Sequence, residues 1–122
     1  MPVARPKVWE KVKALKDKGY NLYILSNYGK ELFEMHSKHI SILDCFDGIL
    51  VSYMIKRMKP EKEIYEELLN RFSLNPSECV FLDDLAKNIE GAQNLGIKGI
   101  RITDEQMLLD LLDEWNTNGV NL

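Results

Sequence analysis

The run Val80-Phe81-Leu82-Asp83-Asp84 most narrows what this chain can fold into. An apolar stretch ending in two carboxylates reads as a buried strand that delivers charge to its C-terminal tip, where open α/β sheets bind their ligands. Adjacent carboxylates repel, so a pair held together needs a compensating charge. A divalent cation such as Mg²⁺ would supply it, because hard cations take oxygen ligands. The plainer reading is that Asp84 caps the following helix and Asp83 is solvated. The pair alone leaves both open.

The rest of the chain alternates helical and extended patterns. Val8, Trp9, Val12 and Leu15 share a helical face, which predicts a helix from about Pro6 to Lys18, stopped at Gly19. Tyr20 to Leu25 reads as a strand ending at Ser26-Asn27, and Lys30 to Ile40 as a helix. Phe46 to Ser52 is a second strand, followed by an irregular stretch to Lys59 and by Pro60 as the expected first residue of a helix carrying Ile64, Tyr65, Leu68, Leu69 and Phe72. Asn75-Pro76 marks a turn before the central run. Ala86 to Leu95 then reads as a helix closed by Gly96, and Ile97 to Ile102 as a fourth strand. Thr103-x-x-Gln106 has the form of a capping box before a helix bearing Met107, Leu108, Leu111, Leu112 and Trp115, and the tail from Asn116 is expected to fray. Strands separated by helices pair in parallel through right-handed crossovers. The expected fold is therefore one three-layer, Rossmann-like α/β domain with a mainly parallel sheet of about four strands.

Composition excludes some functions. A net charge of -3 provides no basic excess for a nucleic-acid or membrane surface, and no apolar run reaches the length of a membrane span. The first six residues lack the layout of a secretory signal, so the expected location is cytoplasmic. Cys45 and Cys79, set among apolar neighbours, read as reduced core residues. His36 and His39 have a spacing that can serve a metal, but no acidic or Cys partner accompanies them. The lysines of the first helix are interrupted by Glu10 and Asp17 and read as a solvated face.

This layout places Ser26 after the first strand, Lys59 after the loop that follows the second, and Asp83 and Asp84 at the end of the third. In a parallel sheet these ends share one edge. A hydroxyl, an ammonium and an acidic pair converging there suit a phosphate with its metal. Taken singly, each has an ordinary structural reading: a cap, a solvated charge, a turn residue.

Ile24-Leu25-Ser26-Asn27, Lys59-Pro60, and Phe81-Leu82-Asp83-Asp84 followed by Asn88 and Gly91-Ala92 resemble motifs II, III and IV of the haloacid dehalogenase-like hydrolases. The resemblance runs from about Val8 to Leu112, and Phe46-Asp47-Gly48 and Asn94-Leu95-Gly96-Ile97 are similar to stretches of its sugar-phosphate phosphatase and phosphoglucomutase subgroup. It implies that Ser26 bonds the transferring phosphoryl group, Asn27 supports that loop, and Lys59 offsets charge between phosphate and carboxylates. Asp84 would bind Mg²⁺ directly, Asp83 through water or by orienting the site, and Asn88, one turn on from Asp84, would support them. The substrate implied is a small phosphorylated metabolite.

Motif I of that family, Asp-x-Asp-x-Thr/Val, carries the nucleophile and the acid/base and has no counterpart here; Asp47-Gly48 has the wrong spacing and order. The chain is therefore expected to be the C-terminal part of the family's core domain, inactive alone. The alternative is a non-catalytic phosphate- or metal-binding, self-assembling module. A phosphorylated receiver domain is discounted, because its acidic pair comes first and its Lys-Pro last. The resemblance also implies that the missing motif I strand lies between the motif II and motif IV strands. Direct pairing of those two strands, a homodimer, or a complementing N-terminal segment would have to close the gap, and self-association is the expectation preferred.

Overall fold

The computed structural model describes residues 6–26 and 46–120. The expected helix from Lys30 to Ile40, with His36 and His39, and the residues Asn27 and Cys45 lie outside them. The described elements are α1 (Pro6–Asp17), β1 (Tyr23–Ser26), β2 (Gly48–Val51), a one-turn α2 (Ser52–Ile55), α3 (Lys62–Arg71), a 3₁₀ turn (Pro76–Glu78), β3 (Val80–Asp83), α4 (Ala86–Gln93), β4 (Lys98–Arg101) and α5 (Glu105–Asn118).

β1 pairs with β2, and β3 with β4, both in parallel. The core has two parts. On one face Leu50, Ile64, Tyr65, Ala92 and Ile97 are buried, with Leu25 and Phe81 packed against them, so α3 and α4 cover that side. On the other, Val8 and Leu15 of α1 meet Leu112 and Trp115 of α5, with Val80, Leu82 and Ile100 beneath. Each large apolar side chain withdrawn from water contributes about 1.5–3 kcal/mol, so these two clusters are what hold the helices to the strands.

Several local features decide the boundaries. Pro60 is not the first helical residue. The Glu61 N–H donates to the Met58 carbonyl and the Met58 N–H to the Glu61 carboxylate, closing a turn, and α3 starts only at Lys62. The cap of α5 is Asp104 rather than Thr103: its carboxylate accepts from the Met107 N–H at 2.8 Å, one position later than the capping-box reading. Met107 consequently faces outward. The tail does not fray at Asn116, whose Nδ2 donates to the carbonyls of Lys11 and Leu112, and the Val120 N–H donates to the Tyr20 hydroxyl. Short-range sequence signals cannot anticipate the Asn116–Lys11 and Val120–Tyr20 contacts, which join residues about a hundred positions apart.

Asp47-Gly48, which has no place in the motifs, is structural. The Asp47 carboxylate takes the Leu22 N–H and the Lys16 ammonium, and the Leu22 carbonyl accepts the Asp47 N–H, so the pair fastens the start of β1 to β2. A Cβ at Gly48 would lie 2.4 Å from the Phe72 ring, which is why no side chain stands there.

The two strand pairs form separate two-stranded sheets, order β1-β2 and β3-β4. Direct pairing of β1 with β3, one of the ways expected to close the gap, is not formed. Whereas Leu50 and Val51 of β2 are fully buried, Ile24 and Leu25 of β1 and Val80, Phe81 and Leu82 of β3 are only half-buried.

Candidate active site

Lys59 comes into the site from the loop after β2 and α2, and its ammonium donates to Asp83 Oδ2 at 2.5 Å, at the end of β3. This contact brings the loop after α2 to the C-terminal end of β3. Ser26 ends β1 and pairs in register with Val51, the last residue of β2, at the C-terminal end of that ladder. Asn27 follows it, beyond the described residues.

Asp83 is held from three directions. Besides Lys59, the Leu85 N–H donates to Oδ1 at 3.0 Å and Asn88 Nδ2 to Oδ2 at 3.3 Å. The ion pair is largely withdrawn from water, with side chains 11% and 6% exposed for Lys59 and Asp83. Burial by itself pushes the Asp83 carboxyl up. The hydrogen bonds from Lys59 and the Leu85 N–H, with a further one involving Asp84, outweigh it and hold the group below its ordinary value. The Lys59 ammonium also lies 5.5 Å from the centre of the Phe81 ring, whose face favours a cation.

Asp84 is exposed beside this buried pair. It does not cap the next helix: the N-cap of α4 is Leu85, with no side-chain cap bond. That removes the plainer reading of Asp84. Asn88 is 2% exposed, and its side chain meets Asp83 rather than Asp84. The helical i, i+4 relation does not apply, because α4 begins at Ala86 and Asp84 lies before it. Asn88 Oδ1 is buried with no hydrogen-bond partner, leaving an acceptor beside the acidic pair.

Two contributors were not singled out from the sequence. The Tyr65 hydroxyl donates to the Asn88 carbonyl at 2.7 Å, fixing the first turn of α4 against α3. Burial, with the nearby charge of Asp83, pushes its pKa up to about 12, so it stays a neutral donor. Its helical spacing marked it only as a core residue. Arg101, the last residue of β4, donates from Nε to the Asp84 carbonyl at 3.1 Å and brings a cation to the same edge. As a polar residue at a strand's C-terminal end, it carried the same signal as Ser26.

Hard oxygen donors are the right chemistry for Mg²⁺, and Asp84, Asp83 and the unpartnered Asn88 Oδ1 fit part of such a site. Among the described residues no group of three or more His, Cys, Asp or Glu side chains comes together.

A family model for haloacid dehalogenase-like hydrolases matches residues 3–102. The chain belongs to that family. It is 33% identical over 97 residues to the sesquiterpene phosphatase astK of Aspergillus oryzae, covering 76% of this chain and 47% of that protein. It superposes on a dehalogenase crystallised with an intermediate complex at a TM-score of 0.78 and 28% identity, covering 97% of this chain and 57% of the other. A third likeness is to a haloacid dehalogenase-family enzyme of Bacteroides thetaiotaomicron in complex with magnesium and inorganic phosphate. There the TM-score is 0.71 and the identity 27%, covering 79% of this chain and 54% of that one. The chain spans about half or less of the length of the curated relatives it matches. Among the described residues no helix is long and apolar enough to cross a membrane.

Proposed function

We propose that this chain is the C-terminal part of a cytoplasmic, Mg²⁺-dependent phosphatase or sugar-phosphate phosphotransferase acting on a small phosphorylated metabolite. In this reading it carries the phosphate- and metal-supporting half of the site without the nucleophile. The observation that supports it best is the buried Lys59–Asp83 pair at the C-terminal end of β3, next to Asp84. Burying two charges is costly, and a pair of well-packed apolar residues would serve a purely structural role as well. The arrangement gains a reason when an anion and a cation must share that edge.

In this reading Ser26 donates to a phosphoryl oxygen and Asn27 supports its loop. Lys59 sets a fixed positive charge between the phosphate and the acidic pair, already oriented by Asp83 and by the Phe81 ring. Asp84 would be the direct ligand of Mg²⁺, with Asp83 and Asn88 behind it; the ion, when bound, neutralises phosphate charge and draws electron density from the phosphorus centre. In this reading none of the described residues near Asp83 and Asp84 stands in for the aspartate nucleophile, and the chain alone is expected not to form the covalent intermediate.

The test is a phosphomonoesterase assay with Mg²⁺ on the 122-residue chain, alongside the same chain extended by any in-frame upstream sequence bearing Asp-x-Asp-x-Thr/Val. The chain alone gives no turnover above background, and the extended protein is active and loses that activity with Asp84→Asn. Turnover by the short chain that disappears with Asp84→Asn would overturn the reading.

A further inference from the structure

We propose that Gly91 is a positioning residue for Lys59: its missing side chain lets the Pro60 carbonyl and the Tyr65 ring lie directly on α4, and that contact fixes where the Lys59 ammonium stands against Asp83. The geometry stands on its own contacts. Its bearing on phosphoryl transfer rests on the reading above, in which Lys59 holds a positive charge beside the phosphate.

Glycine is the poorest helix former after proline, so one inside an eight-residue helix calls for a reason. A Cβ on Gly91 would lie 2.9 Å from Tyr65 Cε2, 3.1 Å from the Tyr65 hydroxyl oxygen and 3.1 Å from the Pro60 carbonyl oxygen. These atoms cannot step aside cheaply. The Pro60 oxygen is backbone, and Tyr65 is fully buried with its hydroxyl tied to the Asn88 carbonyl at 2.7 Å. Nor has α4 room to retreat. Ile89 and Gly91, two residues apart on a helix, face nearly opposite ways, and a Cβ on Gly99 of β4 would come within 2.6 Å of Ile89 Cγ2, so helix and strand already touch closely there. A methyl group on Gly91 must therefore displace Pro60 and Tyr65, because a close-packed interior passes such a strain on.

The displacement reaches Lys59 by two routes. Pro60 follows it directly in the chain, so the place where the Pro60 carbonyl rests on α4 sets where the Lys59 backbone stands. Tyr65 meets Phe81 edge-on, with ring centres 5.7 Å apart at 85°, and the Lys59 ammonium lies 5.5 Å from the centre of that same Phe81 ring. Both the backbone of Lys59 and the ring beside its ammonium are thus held through contacts that meet at Gly91. The other donors to Asp83 are carried differently. The Leu85 N–H comes from two residues along the chain and Asn88 Nδ2 from α4 itself, so neither depends on Pro60.

The test is proton–nitrogen NMR on the full 122-residue chain without added metal, reading solvent exchange at the Lys59 ammonium, the Asn88 side-chain amide and the Leu85 backbone amide. Trimethylamine N-oxide is present throughout and favours the compact state, so a weakened variant still reports. Gly91→Ala is expected to speed exchange at Lys59 by about 10-fold or more and to change the other two by less than about 2-fold. Tyr65→Leu, which withdraws the ring instead of crowding it, should also speed exchange at Lys59. Gly48→Ala, whose methyl group meets Phe72 instead, controls for general loosening and should leave all three groups as in the native chain. Slow exchange at Lys59 in either Gly91→Ala or Tyr65→Leu would overturn the proposal, as would a matching rise at Asn88 and Leu85 in Gly91→Ala, or at Lys59 in Gly48→Ala. No turnover is read, so failure here is distinguishable from failure of the phosphatase reading.

Discussion

Replacing Lys59 with methionine keeps most of the stem and removes the charge, leaving the Asp83 carboxylate 6% exposed with no cation against it. Breaking a buried ion pair from one side typically costs about 3–5 kcal/mol. Here the Leu85 N–H and Asn88 Nδ2 remain to stabilise the carboxylate, so a smaller loss, about 2–3 kcal/mol, is expected. For a chain of this length that lowers Tm by roughly 6–15 °C, readable by thermal or urea denaturation followed by circular dichroism. Two further signatures separate this from a simple packing defect. Adding Asp83→Asn to Lys59→Met should recover more than half of the loss, because the uncompensated charge is then gone. In the native chain Asp83 is held below its ordinary value, so its stabilisation is present above that value and fades as pH falls through the lowered one. The gap between native chain and Lys59→Met should therefore narrow in acid. A loss under about 0.5 kcal/mol that is the same at pH 7 and pH 3 would refute the claim that this pair is electrostatically coupled.

Gly48→Ala drives a methyl group into the Phe72 ring and should cost about 1–3 kcal/mol, partly recovered by Phe72→Leu; an unchanged urea midpoint would contradict the contact. The Asp47 carboxyl is held below its ordinary value chiefly by the Lys16 hydrogen bond and then by the Leu22 N–H. Asp47→Asn should thus destabilise the chain at neutral pH, with the difference shrinking as pH falls through that lowered value, as denaturation across a pH series would show. Asn116→Ala removes two donors to backbone carbonyls that tie α5 to α1 and should cost about 1–2 kcal/mol, with faster amide exchange in both helices.

Element type and order were largely legible because helical and alternating periodicities are local properties of the chain. α1, the four strands, α3, α4 and α5 follow from where Leu, Val and Ile recur and where Gly and Pro interrupt. The boundaries that shifted, at Pro60, Thr103 and Asn116, depend on side chains meeting backbone groups: the Glu61 turn, the Asp104 cap and the Asn116 tie. At the site, the convergence of Lys59 with Asp83 was foreseeable from parallel topology, which gathers strand ends on one edge. That Asp83 rather than Asp84 would receive Asn88 was not, because it depends on α4 starting two residues after Asp84. Tyr65 was hidden by its own burial: its spacing identifies a core position, while its hydroxyl bond to Asn88 exists only in three dimensions.

Calorimetric titration of Mg²⁺ into the 122-residue chain tests most directly whether it carries only part of a metal-dependent site. With Asp84 and Asp83 as the acidic donors and no further acidic, His or Cys ligand gathered among the described residues, Mg²⁺ keeps most of its water, and binding at about millimolar Kd or weaker is expected. A saturable site of micromolar affinity or tighter, abolished by Asp84→Asn, would contradict the account by showing that this chain completes the cage on its own.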